Sequence, residues 1–120
     1  MNDEKLLELA AKAIGEPYYE HVPGGGLYLS NGVYWNPLTD DGDALRLAVK
    51  LEVQVVIPGD NKDVYAGKLL FDAFEPVNGD PYAATRRAIV RAAADMAKAE
   101  GQSDGMRRNF QMPPFIMDKQ

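Results

Sequence analysis

The chain has no cysteine and one histidine, His21, in 120 residues. The first absence removes disulfides, thiolate metal sites and cysteine nucleophiles. The second leaves a Ser-His-Asp triad or a histidine-rich metal centre with little to work with. Apolar runs extend for only a few residues, far short of the ~20 that a membrane-spanning helix needs. The opening Met1-Asn2-Asp3-Glu4-Lys5 has neither the basic start nor the apolar stretch of a signal peptide, so a cytoplasmic protein is expected. Positive charge is in deficit, 13 Lys and Arg against 18 Asp and Glu, a net charge of −5. That balance disfavours generic attachment to a phosphate backbone. What remains is ordinary globular material, 46% hydrophobic and 26% charged, long enough for one core.

Residues 3–14 read as a helix, with Leu6, Leu9, Ala10 and Ala13 at helical spacing, Gly15 as its C′ residue and Pro17 as a stop. A loop over 16–26 ends in Pro23-Gly24-Gly25-Gly26. Strand-like runs at 27–30 and 33–35 flank Asn31-Gly32, the pair preferred in a type I′ hairpin turn. Asp40 is placed as the N-cap of a second helix over 42–51, with Asp43 in the capping-box position and Leu45, Ala48 and Val49 facing inward. Alternation gives a strand over 52–57, the turn Pro58-Gly59-Asp60-Asn61, and one longer strand over 64–75. After Asn78-Gly79, Asp80 and Pro81 supply an N-cap and an N1 proline for a third helix running to about Glu100. The expectation is an α+β fold, an antiparallel sheet of about four strands with helices packed on it, in the order α-ββ-α-ββ-α. Residues 1–100 form one domain in this reading, and 101–120 a poorly ordered or loosely docked tail.

Residues 35–49, Trp-Asn-Pro-Leu-Thr-Asp-Asp-Gly-Asp-Ala-Leu-Arg-Leu-Ala-Val, resemble a segment common in small bacteriophage and prophage proteins grouped as the phage ABA-sandwich domain. Residues 84–94, Ala-Thr-Arg-Arg-Ala-Ile-Val-Arg-Ala-Ala-Ala, are similar to the final helix of that group. The likeness spans roughly residues 27–100. It implies a phage origin, a bacterial host cell and layers of helix, sheet and helix; it carries over no catalytic residue.

Several clusters are candidates for chemistry. Asp40, Asp41 and Asp43 offer three hard oxygen ligands for Mg²⁺ or Ca²⁺, but their spacing does not fit an EF-hand loop, and capping a helix N-terminus is the favoured reading. Arg86, Arg87 and Arg91, with Lys98 beyond, form a basic ridge on the third helix that could contact phosphates; a solvated face is favoured. The triple glycine lacks the strand–loop–Lys-Ser/Thr–helix context of a phosphate cradle and reads as a flexible connector. Tyr18, Tyr19, Tyr28, Tyr34 and Trp35 could stack on a base or anchor a partner, against a packing role if both sheet faces are covered. Glu20-His21 is a weak acid–base pair. In the tail, Phe110, Met112, Phe115, Ile116 and Met117 around Pro113-Pro114 either dock on a partner or fold back on the domain.

The resulting expectation is a non-enzymatic phage accessory protein, without cofactor or metal, that binds a host or phage protein and counters a host defence. The alternative is a binder of nucleic acid or a nucleotide-like molecule through Tyr28, Tyr34 and Trp35 with Arg86, Arg87 and Arg91. Neither reading involves a membrane, and both leave the oligomeric state open, a homodimer included.

Overall fold

Caps and glycines punctuate the chain where the sequence places them. In the computed structural model, which describes residues 2–60 and 62–102, α1 runs Asp3–Ala13, its N-terminus closed by Asn2 accepting from the Lys5 amide. Gly15 leaves the helix at φ +73°, the left-handed conformation that glycine adopts without steric cost. α2 (Asp41–Leu51) is capped by Asp40, whose carboxylate accepts from the Asp43 amide. α3 (Pro81–Gln102) begins with Asp80 accepting from the amides of Tyr82 and Ala83.

Between the helices lie six strands in two three-stranded antiparallel sheets, where one sheet of about four strands was expected. The first sheet is β1 (Tyr18–His21), β2 (Leu27–Leu29) and β3 (Tyr34–Trp35), in that order. The second is β4 (Gln54–Val56), β5 (Asp63–Lys68) and β6 (Phe71–Pro76), also in chain order. Two differences account for the extra strands. Residues 18–21, read as loop, pair with β2, because Gly24, Gly25 and Gly26 all take positive φ and close a tight β1–β2 hairpin. The glycines are thus a turn, not a flexible connector. The single strand expected over 64–75 is itself a hairpin, with Lys68 paired to Phe71 across a two-residue turn at Leu69-Leu70. Leu69 turns at φ +57°, a conformation that no Leu-Leu dipeptide advertises.

The Asn31-Gly32 hairpin forms, but not as a type I′ turn. Tyr28 pairs with Tyr34 and Leu27 with Trp35; the Gly32 amide donates to Leu29 and only Gly32 of the pair has positive φ. This is a three-residue loop over 30–32 with glycine in the left-handed position. The hydrophobic pattern selects that register: it puts Leu27, Leu29 and Trp35 on the buried side and Tyr28 and Tyr34 on the outer side, whereas a one-residue slip would mix them. Positive φ at both central residues occurs instead at Asn78-Gly79, the turn from β6 into α3.

α3 is the axis of the molecule. α1, α2, β5 and β6 all pack on it, and Ala84, Ala88, Ile89, Val90, Ala92, Ala93, Ala94 and Ala97 are buried. The alanine-rich face is an enclosed core face, and its small side chains let four elements approach closely. Leu6, Leu7, Ala10 and Ala11 of α1 and Leu47 of α2 complete the core. Each sheet is covered on one face only: Val64, Ala66 and Ala73 point inward, while Val56, Tyr65 and Phe74 form a cross-strand row pointing outward. β4 starts two residues later than expected because Glu52 is the left-handed C-cap of α2, at φ +59°. The tail beyond residue 102, and the position of Asn61 in its turn, lie outside the described residues.

Gly26 gives a direct test of the β1–β2 turn. Its φ is +90°, and a Cβ there would meet the Tyr34 ring at 2.6–2.8 Å, whereas a Cβ at Gly24 (φ +91°) meets nothing within 4 Å. Gly24→Ala should therefore cost only backbone strain, about 1–3 kcal/mol. Gly26→Ala should cost more and also displace Tyr34, read as a larger drop in Tm and a changed tyrosine environment by NMR.

Candidate functional site

The acidic cluster at the start of α2 is employed in structure. Asp40 caps the helix. Asp41 binds Arg86 at 2.7 Å. Asp43, buried, accepts from the Asn36 amide at 2.9 Å and from Arg46 at 2.8 Å. Asn36, also buried, in turn accepts from the Leu38 amide through its side chain, and its carbonyl takes the amides of Thr39 and Asp40. The Trp-Asn-Pro-Leu-Thr-Asp-Asp-Gly-Asp string thus builds the corner between β3 and α2. Among the described residues no group of three or more acidic or imidazole side chains is arranged to hold a metal ion.

Arg86 leaves α3 toward α2, whereas Arg87 and Arg91 share one side and both reach Glu75. Arg86 donates to the Leu38 carbonyl at 2.8 Å and to Asp41. Arg87 binds Asp3 of α1 at 2.9 Å. Arg91 donates to the Phe74 carbonyl and to Glu75. Arg87, Arg91 and Lys98 do line one cleft, together with Glu75 and Asp95, so carboxylates interrupt the positive charge. The tyrosines line another: Tyr19 and Tyr28, with Glu20, Leu29, Ser30 and Gly32. Tyr28 and Tyr34 meet edge to face, ring centroids 6.0 Å apart, and the Tyr34 hydroxyl donates to the Gly25 carbonyl. Trp35, expected among the binding aromatics, is 6% exposed: its face of β3 is the covered one, and it belongs to the core. His21 pairs with Glu8 of α1 at 2.7 Å rather than with its neighbour Glu20.

One apolar concavity was not foreseen. A groove of about 650 Å³ runs between α2, β4 and α3, lined by Ala44, Leu45, Ala48, Val55, Ile57, Tyr82 and Ile89, with Asp41 and Arg86 at its polar edge. Leu45 is 64% exposed, Val49 68%, Ile57 59% and Tyr82 70%. Leu45 and Val49 were expected to face inward. α2 instead buries Asp43, Ala44, Leu47 and Ala48, because α3 meets it on that side, and the remaining apolar pair is left at i, i+4 on the outer side. A signal was available: between Ala44 and Leu51 only Arg46 and Lys50 are polar, more apolar positions than one buried stripe uses. Contiguous apolar surface of this kind marks interaction sites more often than isolated exposed residues do.

Comparison with protein-family models, curated proteins and solved structures finds no match to the chain. No helix among the described residues is long and apolar enough to cross a membrane.

Two measurements follow from these contacts. Removing the carboxylate in Asp43→Ala strands the buried Asn36 amide without its acceptor, which should cost about 1–3 kcal/mol and lower Tm by several degrees. The His21 hydrogen bond, followed by burial in opposition and Lys5 in support, holds the Glu8 carboxyl below its ordinary 4.5. A depressed carboxylate binds fewer protons folded than unfolded, so its contribution is complete above about pH 4.5 and is lost as pH falls through the folded value. Tm should therefore decline less steeply below pH 4.5 in Glu8→Gln than in the parent chain.

Proposed function

We propose that this protein is a non-enzymatic binding protein whose partner-docking surface is the apolar groove between α2, β4 and α3. The observation that carries the reading is the exposure of Leu45, Ile57 and Tyr82 around one concavity with a charged edge at Asp41–Arg86. An aromatic beside aliphatic side chains, edged by an ion pair, is the composition expected of a protein–protein anchor site. The engagement of Glu8, Asp40, Asp41, Asp43 and His21 in caps and pairs favours binding over acid–base chemistry. The likeness of residues 35–49 and 84–94 to phage and prophage proteins favours a host component as the partner, met in the bacterial cytoplasm, with interference in a defence system as the benefit. The nucleic-acid alternative is less well supported, because Arg86, Arg87 and Arg91 each share their charge with a carboxylate and do not line the cleft that holds Tyr19 and Tyr28.

The test is affinity capture from phage-infected host lysate with mass-spectrometric identification, followed by titration of the captured partner against groove variants. Tyr82→Ala should weaken binding by about 2 kcal/mol, a ~30-fold rise in Kd, with little change in Tm because the side chain is largely exposed. Leu45→Asp should weaken it further, and Arg87→Ala with Arg91→Ala should leave it unchanged. An unchanged Kd in Tyr82→Ala and Leu45→Asp, or salt-sensitive duplex binding lost in the double arginine variant, would overturn the reading.

A further inference from the structure

The groove is open along α2, β4 and the N-terminal half of α3, and the chain itself carries a segment suited to it. Residues 110–117 read Phe-Gln-Met-Pro-Pro-Phe-Ile-Met, five large apolar side chains around a proline pair. Such a pair favours an extended polyproline-like backbone that needs no hydrogen bonds of its own and can present alternate side chains to a groove. The geometry allows the return. α3 ends at Gln102, and the groove residue Ile89 lies thirteen positions back along it, about 20 Å at 1.5 Å per residue. The seven residues 103–109, Ser-Asp-Gly-Met-Arg-Arg-Asn, span at most about 23–25 Å when fully extended. They are long enough to bring Phe110 to the level of Ile89, so that residues 111–117 continue toward Tyr82. A tether this short also keeps the effective concentration of the segment in the millimolar range, so a weak motif suffices.

We propose that residues 110–117 dock in cis into the α2–β4–α3 groove and so occupy the surface that a partner must use. This inference rests on the groove being a binding surface, and it makes the tail a competitor of the partner.

Because the chain has no cysteine, Lys119→Cys in the full-length protein gives a single site for a nitroxide label. Amide signals of Leu45, Ile57, Tyr82 and Ile89 should lose most of their intensity, independently of protein concentration. Phe115→Asp with Ile116→Asp should restore them. The same double substitution should raise fluorescence of the apolar dye anilinonaphthalene sulfonate several-fold, and Leu45→Asp should remove the gain. No broadening in the groove, broadening centred on Tyr65 and Phe74, or no dye gain overturns the proposal. So does broadening that appears only when labelled and isotope-enriched chains are mixed, which would place the tail on a second copy. These outcomes are separate from the function test, since a tail that stays out of the groove leaves the effect of Tyr82→Ala on partner affinity intact.

Discussion

The constraint on which this structure depends is the enclosure of α3. A 22-residue helix that contacts α1, α2, β5 and β6 has no broad face left for water. It can be approached from several sides only because most of its buried positions are alanine, so backbones come close and each neighbour supplies the larger side chain. Leu6 and Leu7 do so from α1, Leu47 from α2 and Val64 from β5. Ala→Leu changes on this helix would overpack a site with no slack. The layering follows: both sheets lie outside the helices, each with one covered face, and their outer faces carry the rows Tyr28–Tyr34 and Val56–Tyr65–Phe74, exposed except for the half-buried Tyr65.

The groove is the place where that enclosure is incomplete. α2 is only three turns long and reaches α3 through Ala44, Leu47 and Ala48. Its partner strand β4 is three residues long and sits at the edge of its sheet, and Ile57 just beyond it is largely exposed. The left-handed cap at Glu52 sets the angle at which the chain leaves α2 toward β4. Lys68 fastens that cap by donating to the Leu51 carbonyl and pairing with Glu52. The floor of the groove is therefore made by elements with fixed ends, while its apolar sides remain uncovered. A preformed concavity is the cheaper kind of binding surface, because little ordering is required when an occupant arrives.

Much of the helical frame was legible because caps act locally. Asp40, Asp80, Gly15 and Pro81 signal helix ends through backbone chemistry that tertiary packing rarely overrides. Strand number was less legible. Tyr18–His21 has no period-2 burial and becomes a strand only because three glycines fold it back on β2. The Leu69-Leu70 turn carries no turn residue at all and exists because β5 and β6 pair on either side of it. The inward-facing assignment of Leu45 and Val49 failed for a different reason: periodicity identifies an apolar helix but not which of two apolar stripes meets the core. The candidate site was hidden by that ambiguity and by the distance in sequence between α2, Ile57 and Tyr82.

The arginines show how a surface reading of charge misleads when a helix is enclosed. On an exposed helix Arg86, Arg87 and Arg91 would form a basic ridge, and isolated surface ion pairs there would contribute little. Here all three are drawn into contacts with neighbouring elements, Arg87 and Arg91 converging on Glu75. Arg86 ties α3 to the α2 N-terminus through Asp41 and the Leu38 carbonyl, Arg87 ties it to the first turn of α1 through Asp3, and Arg91 ties it to β6 through Glu75 and the Phe74 carbonyl. Guanidinium suits this role because its fixed fork can hold a carboxylate and a carbonyl together, which an ammonium does less specifically. The sequence places three cations within six residues, and the fold pairs all of them with its own carboxylates, Asp41, Asp3 and Glu75. The apolar groove is left as a concave feature whose lining is uncovered among the described residues. Its single ion pair, Asp41–Arg86, fixes one edge of that lining and gives an occupant an oriented charge to read.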